Sequence, residues 1–116
     1  MPRGERLRRA AEIQAVFQHG SRLEGASFVA LWRRAEGRRV GFAVSRQLRG
    51  AAQRNRARRR IREAYRQVRA LFAQDIELVV VARARAATRP FPELVEDMRR
   101  LAENLARAGR ALGARP

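Results

Sequence analysis

The chain carries 27 arginines and no lysine, and its Leu, Ile, Val and Phe residues together also number 27 among 116 residues. A core drawn from so few large apolar side chains must be small. Those 27 apolar side chains are just under a quarter of the chain, slightly above the roughly 20% below which a highly charged sequence stays disordered. The apolar fraction of 46% overstates the core, because 22 of its members are alanine. With 11 acids the formal net charge is +16, so folding is expected to be marginal and to be helped by a polyanion. The length predicts one domain over residues 1–116, with a core at about 6–108 and a flexible tail at 109–116.

No cysteine is present and His19 is the one histidine. No thiolate or histidine cluster can therefore form around a metal, and His19 alone would have to serve any Ser-His-Asp arrangement, which nearly excludes metal or nucleophilic catalysis by this chain; neither catalytic residues nor metal ligands are expected on it. No apolar run approaches the ~20 residues of a membrane span, and residues 1–9 lack the apolar stretch of a signal peptide. A cytoplasmic chain with no membrane partner is expected. Arginine's planar fork engages phosphate oxygens two at a time and stacks on bases, whereas lysine offers a point charge. A GC-rich genome, which favours Arg and Ala codons together, accounts for the missing lysine but leaves the net charge in need of a partner.

Leu7, Ala10, Ala11, Gln14 and Phe17 follow a three-to-four spacing that stops at Gly20, predicting a helix over 7–19. A short segment at 21–23 and a Glu24-Gly25 turn precede 27–32; an Ala35-Glu36-Gly37 turn leads on to 39–45, and these two runs read as a hairpin with a short strand before it. In the second arm Val40, Phe42 and Val44 share one face, while Gly41, Ala43 and Ser45 make the other shallow, open to a covering helix or a groove. Residues 51–73 fit a long helix with Ala57, Ile61, Ala64, Val68, Leu71 and Phe72 along its apolar stripe. The run 78–82 is continuously apolar, as in a central strand buried on both faces. Beyond Pro90, Leu94, Met98, Leu101, Leu105 and Ala108 repeat at helical spacing, with Glu93, Glu96 and Asp97 early and Arg107 and Arg110 late, as the helix dipole favours. Helix, two or three strands, helix, strand, helix predicts an α+β sandwich on one mixed sheet.

Residues 38–69 hold 12 arginines and one acid, Glu63. On a helical wheel Asn55, Arg58, Arg59, Arg62, Arg66 and Arg69 fall within an arc of about 100° opposite the Ala57/Ile61/Val68 stripe. The ladder Arg54, Arg58, Arg62, Arg66 at i,i+4 would destabilise a free helix, which points to phosphates as its counterions. The ridge specifies a polyanion and not which one. A ribosomal or other structured-RNA binder, a double-stranded DNA binder, a membrane-active helix and a protein-only nuclease are the competing readings. Against the last three stand the lack of a second basic helix at helix-turn-helix spacing, the buried-strand pattern of a compact domain and the shortage of catalytic groups. Taken alone, Phe17, Phe28 and Trp32 read as core and Ser45 as a strand-end hydroxyl. His19 reads as a partner for helix-end carbonyls, the acids of the last helix as capping and solvated groups, and Gly50 as a turn residue.

The run Ala52-Gln53-Arg54-Asn55-Arg56-Ala57-Arg58-Arg59-Arg60-Ile61-Arg62-Glu63-Ala64-Tyr65 resembles the Arg-Asn-Arg signature helix of the bacterial ribonuclease P protein component. Phe17-Gln18-His19-Gly20, Val40-Gly41-Phe42-Ala43-Val44-Ser45 and Val79-Val80-Val81-Ala82-Arg83 resemble that family's other segments in order and spacing, so the likeness covers about residues 6–108. The resemblance implies an αβββαβα sandwich with a four-stranded mixed sheet and a long Arg-rich helix, ribosomal protein S5 domain 2-like. It implies a subunit of the tRNA 5′-processing endoribonuclease, which joins a catalytic RNA, binds the 5′ leader of precursor tRNA and leaves the chemistry to that RNA with Mg2+. No cofactor on the protein alone, no small-molecule substrate and one protein per RNA are implied as well. RNA contacts are implied at Arg54, Asn55, Arg56, Arg58, Arg59 and Arg62, with Arg66 and Arg46 extending the same basic surface; Arg60 stands where the family is usually less polar. A leader cleft between the first helix and the sheet is implied at Ile13, Phe17, Leu31 and Ser45. Ile13 and Leu31 stand where aromatic residues are usual, which leaves Phe17 as the stacking platform, with Trp32 one residue out of register.

Overall fold

The computed structural model describes residues 10–113. Its elements run α1 (Ala10–His19), β1 (Ser21–Glu24), β2 (Phe28–Arg34), β3 (Arg39–Val44), α2 (Ala51–Val68) with a 3-10 turn (Arg69–Leu71), β4 (Ile76–Ala82), α3 (Arg85–Thr88) and α4 (Phe91–Gly113). The α+β order matches the expected one, with the four-residue α3 added. The expected helix start at Leu7 lies outside the described residues, as do the Arg110 side chain and residues 114–116. Within the expected tail, α4 runs on helically from Gly109 to Gly113.

The strands form one mixed sheet in the order β1-β2-β4-β3. β2 pairs antiparallel with both β1 and β4, from Phe28↔Ala82 to Arg34↔Ile76, while β3 runs parallel to β4 from Arg39↔Glu77 to Val44↔Ala82. The hairpin expected between 27–32 and 39–45 is therefore wrong: β4 lies between those two strands. The turn at 35–37 reverses the chain whichever strand comes to lie alongside. β4 has Leu78 and Val80 on one face and Val79 and Val81 on the other, so it loses most water in the middle of the sheet. A bond from the Ala35 amide to the Asp75 carbonyl, 3.0 Å, holds the end of β2 against the start of β4.

Alternation along the strands sorts their side chains between two layers. Phe28, Ala30, Trp32, Val40, Leu78 and Val80 face α2 and α4 and join Ile61, Tyr65, Leu94 and Met98 in the main core. On the other face Leu31 and Val79 pack with Val16, and Ile13, Ala43 and Val81 edge this second cluster, so the shallow face is covered by α1. Phe28 and Trp32 are core, as read from sequence. Leu71 is not: α2 ends at Val68, and the 3-10 turn swings Leu71 out to 54% exposure. Phe72 instead packs on Tyr65 with ring centroids 4.9 Å apart, and the fully buried Tyr65 meets Phe42 edge-on at 5.6 Å.

Gly20 ends α1 where a Cβ would stand 2.5 Å from the Val16 carbonyl oxygen and 2.8 Å from that of Trp32. Only glycine lets the helix stop this close to β2. A polar network also links the layers. The Oγ of buried Ser27 donates to Asp97 Oδ2 at 2.8 Å, and Asp97 accepts Arg89 Nε at 2.6 Å and Nη2 at 3.2 Å. Asp97 is therefore an interior partner rather than the capping or solvated acid expected; the hydrogen bond to Asp97 raises the Arg89 guanidinium above its ordinary value.

Candidate RNA interface

α2 starts after Gly50, whose φ of 87° suits glycine. No side chain caps the first turn and no acid lies in it, so the positive pole of the helix is left without a side-chain anion. Ala57, Ile61, Ala64 and Tyr65 bury one side of α2, which leaves Asn55, Arg58, Arg59, Arg62 and Arg66 exposed on the other. Arg69, expected on this ridge, lies one residue past the end of α2 in the 3-10 turn and is half-buried, and its carbonyl accepts Arg38 Nη1 at 3.2 Å.

The arginines of α2 divide by what they touch. Arg59 and Arg62 have no partner among the described residues, and with Asn55 and Arg58 they line a shallow depression. Arg58 Nη2 donates to Asn55 Oδ1 at 2.6 Å, and Arg66 pairs with Glu63 at 3.0 Å. Arg46, in the loop before α2, is exposed. Arg54 and Arg56 are each engaged in part: Arg54 Nη1 donates to the Ser45 and Leu48 carbonyls, both at 2.9 Å, and Arg56 Nε donates to the Ala87 carbonyl at 3.0 Å.

Arg60 turns inward. Its Nε donates to the Ala86 carbonyl at 2.9 Å, its Nη2 donates to the Arg89 carbonyl, and its guanidinium lies 6.0 Å from the Phe91 ring centroid. Burial, and then neighbouring Arg56, push Arg60 below its ordinary value. It supplies donors to carbonyls at the end of α3 that a short helix leaves open. The usable sequence signal was position on the wheel: Arg56 and Arg60 lie one turn apart beside the apolar stripe rather than opposite it.

On the opposite layer, Ile13 of α1 and Leu31 of β2 belong to the same small cluster, with Leu31 only 6% exposed beneath the helix. Phe17, one turn after Ile13, is 45% exposed, so it is not the core residue it resembles when taken alone. Arg39 pairs with Glu12 and ties α1 to β3. Ser45 lies just beyond β3, where its amide donates to the Ala82 carbonyl at 2.8 Å and its Oγ accepts the Gln47 amide at 3.2 Å. The structure thus brings Ile13 and Leu31 into one cluster, leaves Phe17 exposed one turn further along α1, and sets Ser45 at the strand end, joined to α2 through Arg54. Among the described residues no group of three or more His, Cys, Asp or Glu could hold a metal ion.

Residues 1–106 match the family model described as Ribonuclease P. A ribonuclease P protein component from Symbiobacterium thermophilum is 38% identical over 106 residues, covering 89% of this chain and 92% of that one. The ribonuclease P protein of Thermotoga maritima superposes with a TM-score of 0.75 at 26% identity, over 86% of this chain and 96% of that one. The Staphylococcus aureus protein superposes at 0.70 with 22% identity, over 88% and 94%, and shows the shared fold.

Proposed function

Since the chain belongs to the ribonuclease P protein family, and is thereby a subunit of the ribonucleoprotein endoribonuclease that processes tRNA 5′ ends together with its RNA, we propose that it works through two RNA-facing surfaces. One is the ridge of α2. Arg58, Arg59, Arg62 and Arg66, with Asn55, Arg46 and the nitrogens of Arg54 and Arg56 not already bonded, hold phosphates of the catalytic RNA and release its counterions. The other is α1, where exposed Phe17 stacks a base of the single-stranded 5′ leader, with Ile13 beside it, Leu31 as floor and Ser45 at the rim. Magnesium belongs in this reading to the RNA. The protein serves as one copy per RNA, in the cytoplasm.

The observation that carries the reading is the exposed arginine face of a helix whose other side is sealed in the core, with Arg59 and Arg62 bonded to nothing among the described residues. Reconstitution with the host's large processing RNA tests it. Adding the protein should raise cleavage of 5′-extended tRNA at low magnesium, and the protein alone should cleave nothing. Arg59→Ala with Arg62→Ala should weaken RNA association and reduce the slope of log affinity against log salt by roughly two units. Unchanged affinity, or cleavage by the isolated polypeptide, refutes the reading.

A further inference from the structure

Away from both surfaces, a cavity of about 290 Å³ opens between the β1–β2 turn, α3 and α4. Leu23, Phe28 and Leu101 give it an apolar wall, and the Ser27–Asp97–Arg89 network closes it behind. Arg85 and Arg100 stand at its rim, with Asn104 one turn beyond Arg100 on α4. Arg85 is exposed and has no partner among the described residues, and Arg100 comes only within 3.9 Å of Glu96. Two carboxylates line the cavity and both already have cation partners: Asp97 is taken up by Ser27 and Arg89, and Glu24 at the mouth pairs with Arg22 at 2.7 Å.

An apolar wall, the NH2 of an amide whose Oδ1 already accepts Arg107 Nη2 at 2.7 Å, and two guanidinium forks at the mouth make a restricted combination. The wall suits the face of a base, Asn104 can read a base edge, and the forks match phosphate oxygens. The volume lies just below the roughly 300 Å³ at which pockets begin to hold drug-sized ligands, which suits one nucleotide. Inorganic phosphate would use only the rim. An apolar peptide would leave both arginines desolvated without an anion.

We propose that this cavity binds a single nucleoside monophosphate unit, with the base against Leu23, Phe28 and Leu101 and the phosphate on Arg85 and Arg100. The unit is either a free nucleotide or one unstacked residue of a bound RNA. The site stands apart from the α2 ridge and from α1, and its test is independent of them. Calorimetric titration of the full chain with AMP, GMP, CMP, UMP and inorganic phosphate, at a salt concentration that screens diffuse attraction, should show at least one nucleotide binding about tenfold or more tighter than phosphate.

Ala26 lies exposed in the turn at the cavity mouth. Ala26→Trp should fill the mouth and abolish that preference while the circular dichroism spectrum stays unchanged, and Asn104→Ala should alter which base is preferred. The Arg59→Ala, Arg62→Ala double variant should keep the preference, which separates failure of this site from failure of the ridge. Equal affinity for all five ligands, or a preference that Ala26→Trp leaves intact, overturns the proposal. In the reconstituted holoenzyme, weaker assembly or weaker precursor binding by Ala26→Trp identifies an RNA-borne nucleotide, and unchanged assembly identifies a free one.

Discussion

Neighbouring arginines on α2 have opposite duties. Arg59 faces outward with no partner among the described residues, whereas Arg60 supplies two carbonyls beyond the helix. Arg60→Ala should lower unfolding free energy by about 1–3 kcal/mol, because the Ala86 and Arg89 carbonyls lose their donors. Arg59→Ala should leave it within about 0.5 kcal/mol while weakening RNA binding. Urea denaturation of the two variants checks this, and a larger stability loss for Arg59 would reverse the assignment. The outward set was legible because 100° per residue is enough to find the side opposite a buried stripe. The same wheel sets Arg60 beside the stripe, but its carbonyl partners were not legible, because they lie 26 and 29 residues away. Gly20→Ala should cost more than Gly50→Ala in the same measurement. At Gly20 a Cβ meets two backbone carbonyls, whereas at Gly50 it meets open space and only the backbone conformation is strained.

Helix α1 combines a buried and a displayed side chain one residue apart. Val16→Ala should cost about 2 kcal/mol, since Val16 is fully buried against Leu31 and Val79. Phe17→Ala, at a side chain 45% exposed, should cost about 1 kcal/mol, less than Val16→Ala, and should weaken binding of leader-bearing precursor more than of mature tRNA. Equal effects on the two RNAs would return Phe17 to a structural role. On α4, the hydrogen bond from Arg99 holds the Glu96 carboxyl below its ordinary 4.5, with Arg99 and Arg100 adding charge attraction. The folded state therefore favours the ionised form more than the unfolded state does, and the contribution is present above about pH 4.5 and lost as pH falls through the folded value. The difference in melting temperature between the parent and Glu96→Gln should shrink on acidification; a constant difference would exclude this linkage. The two-sided apolar pattern of β4 was legible, but its insertion between β2 and β3 was not, because a turn signal at 35–37 carries no information about a strand that arrives forty residues later.

For the molecule as a whole, a net charge of +16 on a core this small sets self-repulsion against folding. Melting temperature should rise as salt or sulfate screens the arginines, and a melting temperature indifferent to both would show that repulsion does not limit stability. Periodicity and charge, both properties of consecutive residues, were enough to establish the α+β class, the buried stripe of α2, the arginine ridge and the central character of 78–82. Contacts between distant segments decided the rest: the sheet order, the α1 cover over Leu31 and Val79, the Ser27–Asp97–Arg89 link and the inward turn of Arg60. Helical and strand repeats record which way a side chain points relative to its own backbone. They hold nothing about which carbonyl, carboxylate or strand edge another part of the chain will bring to meet it.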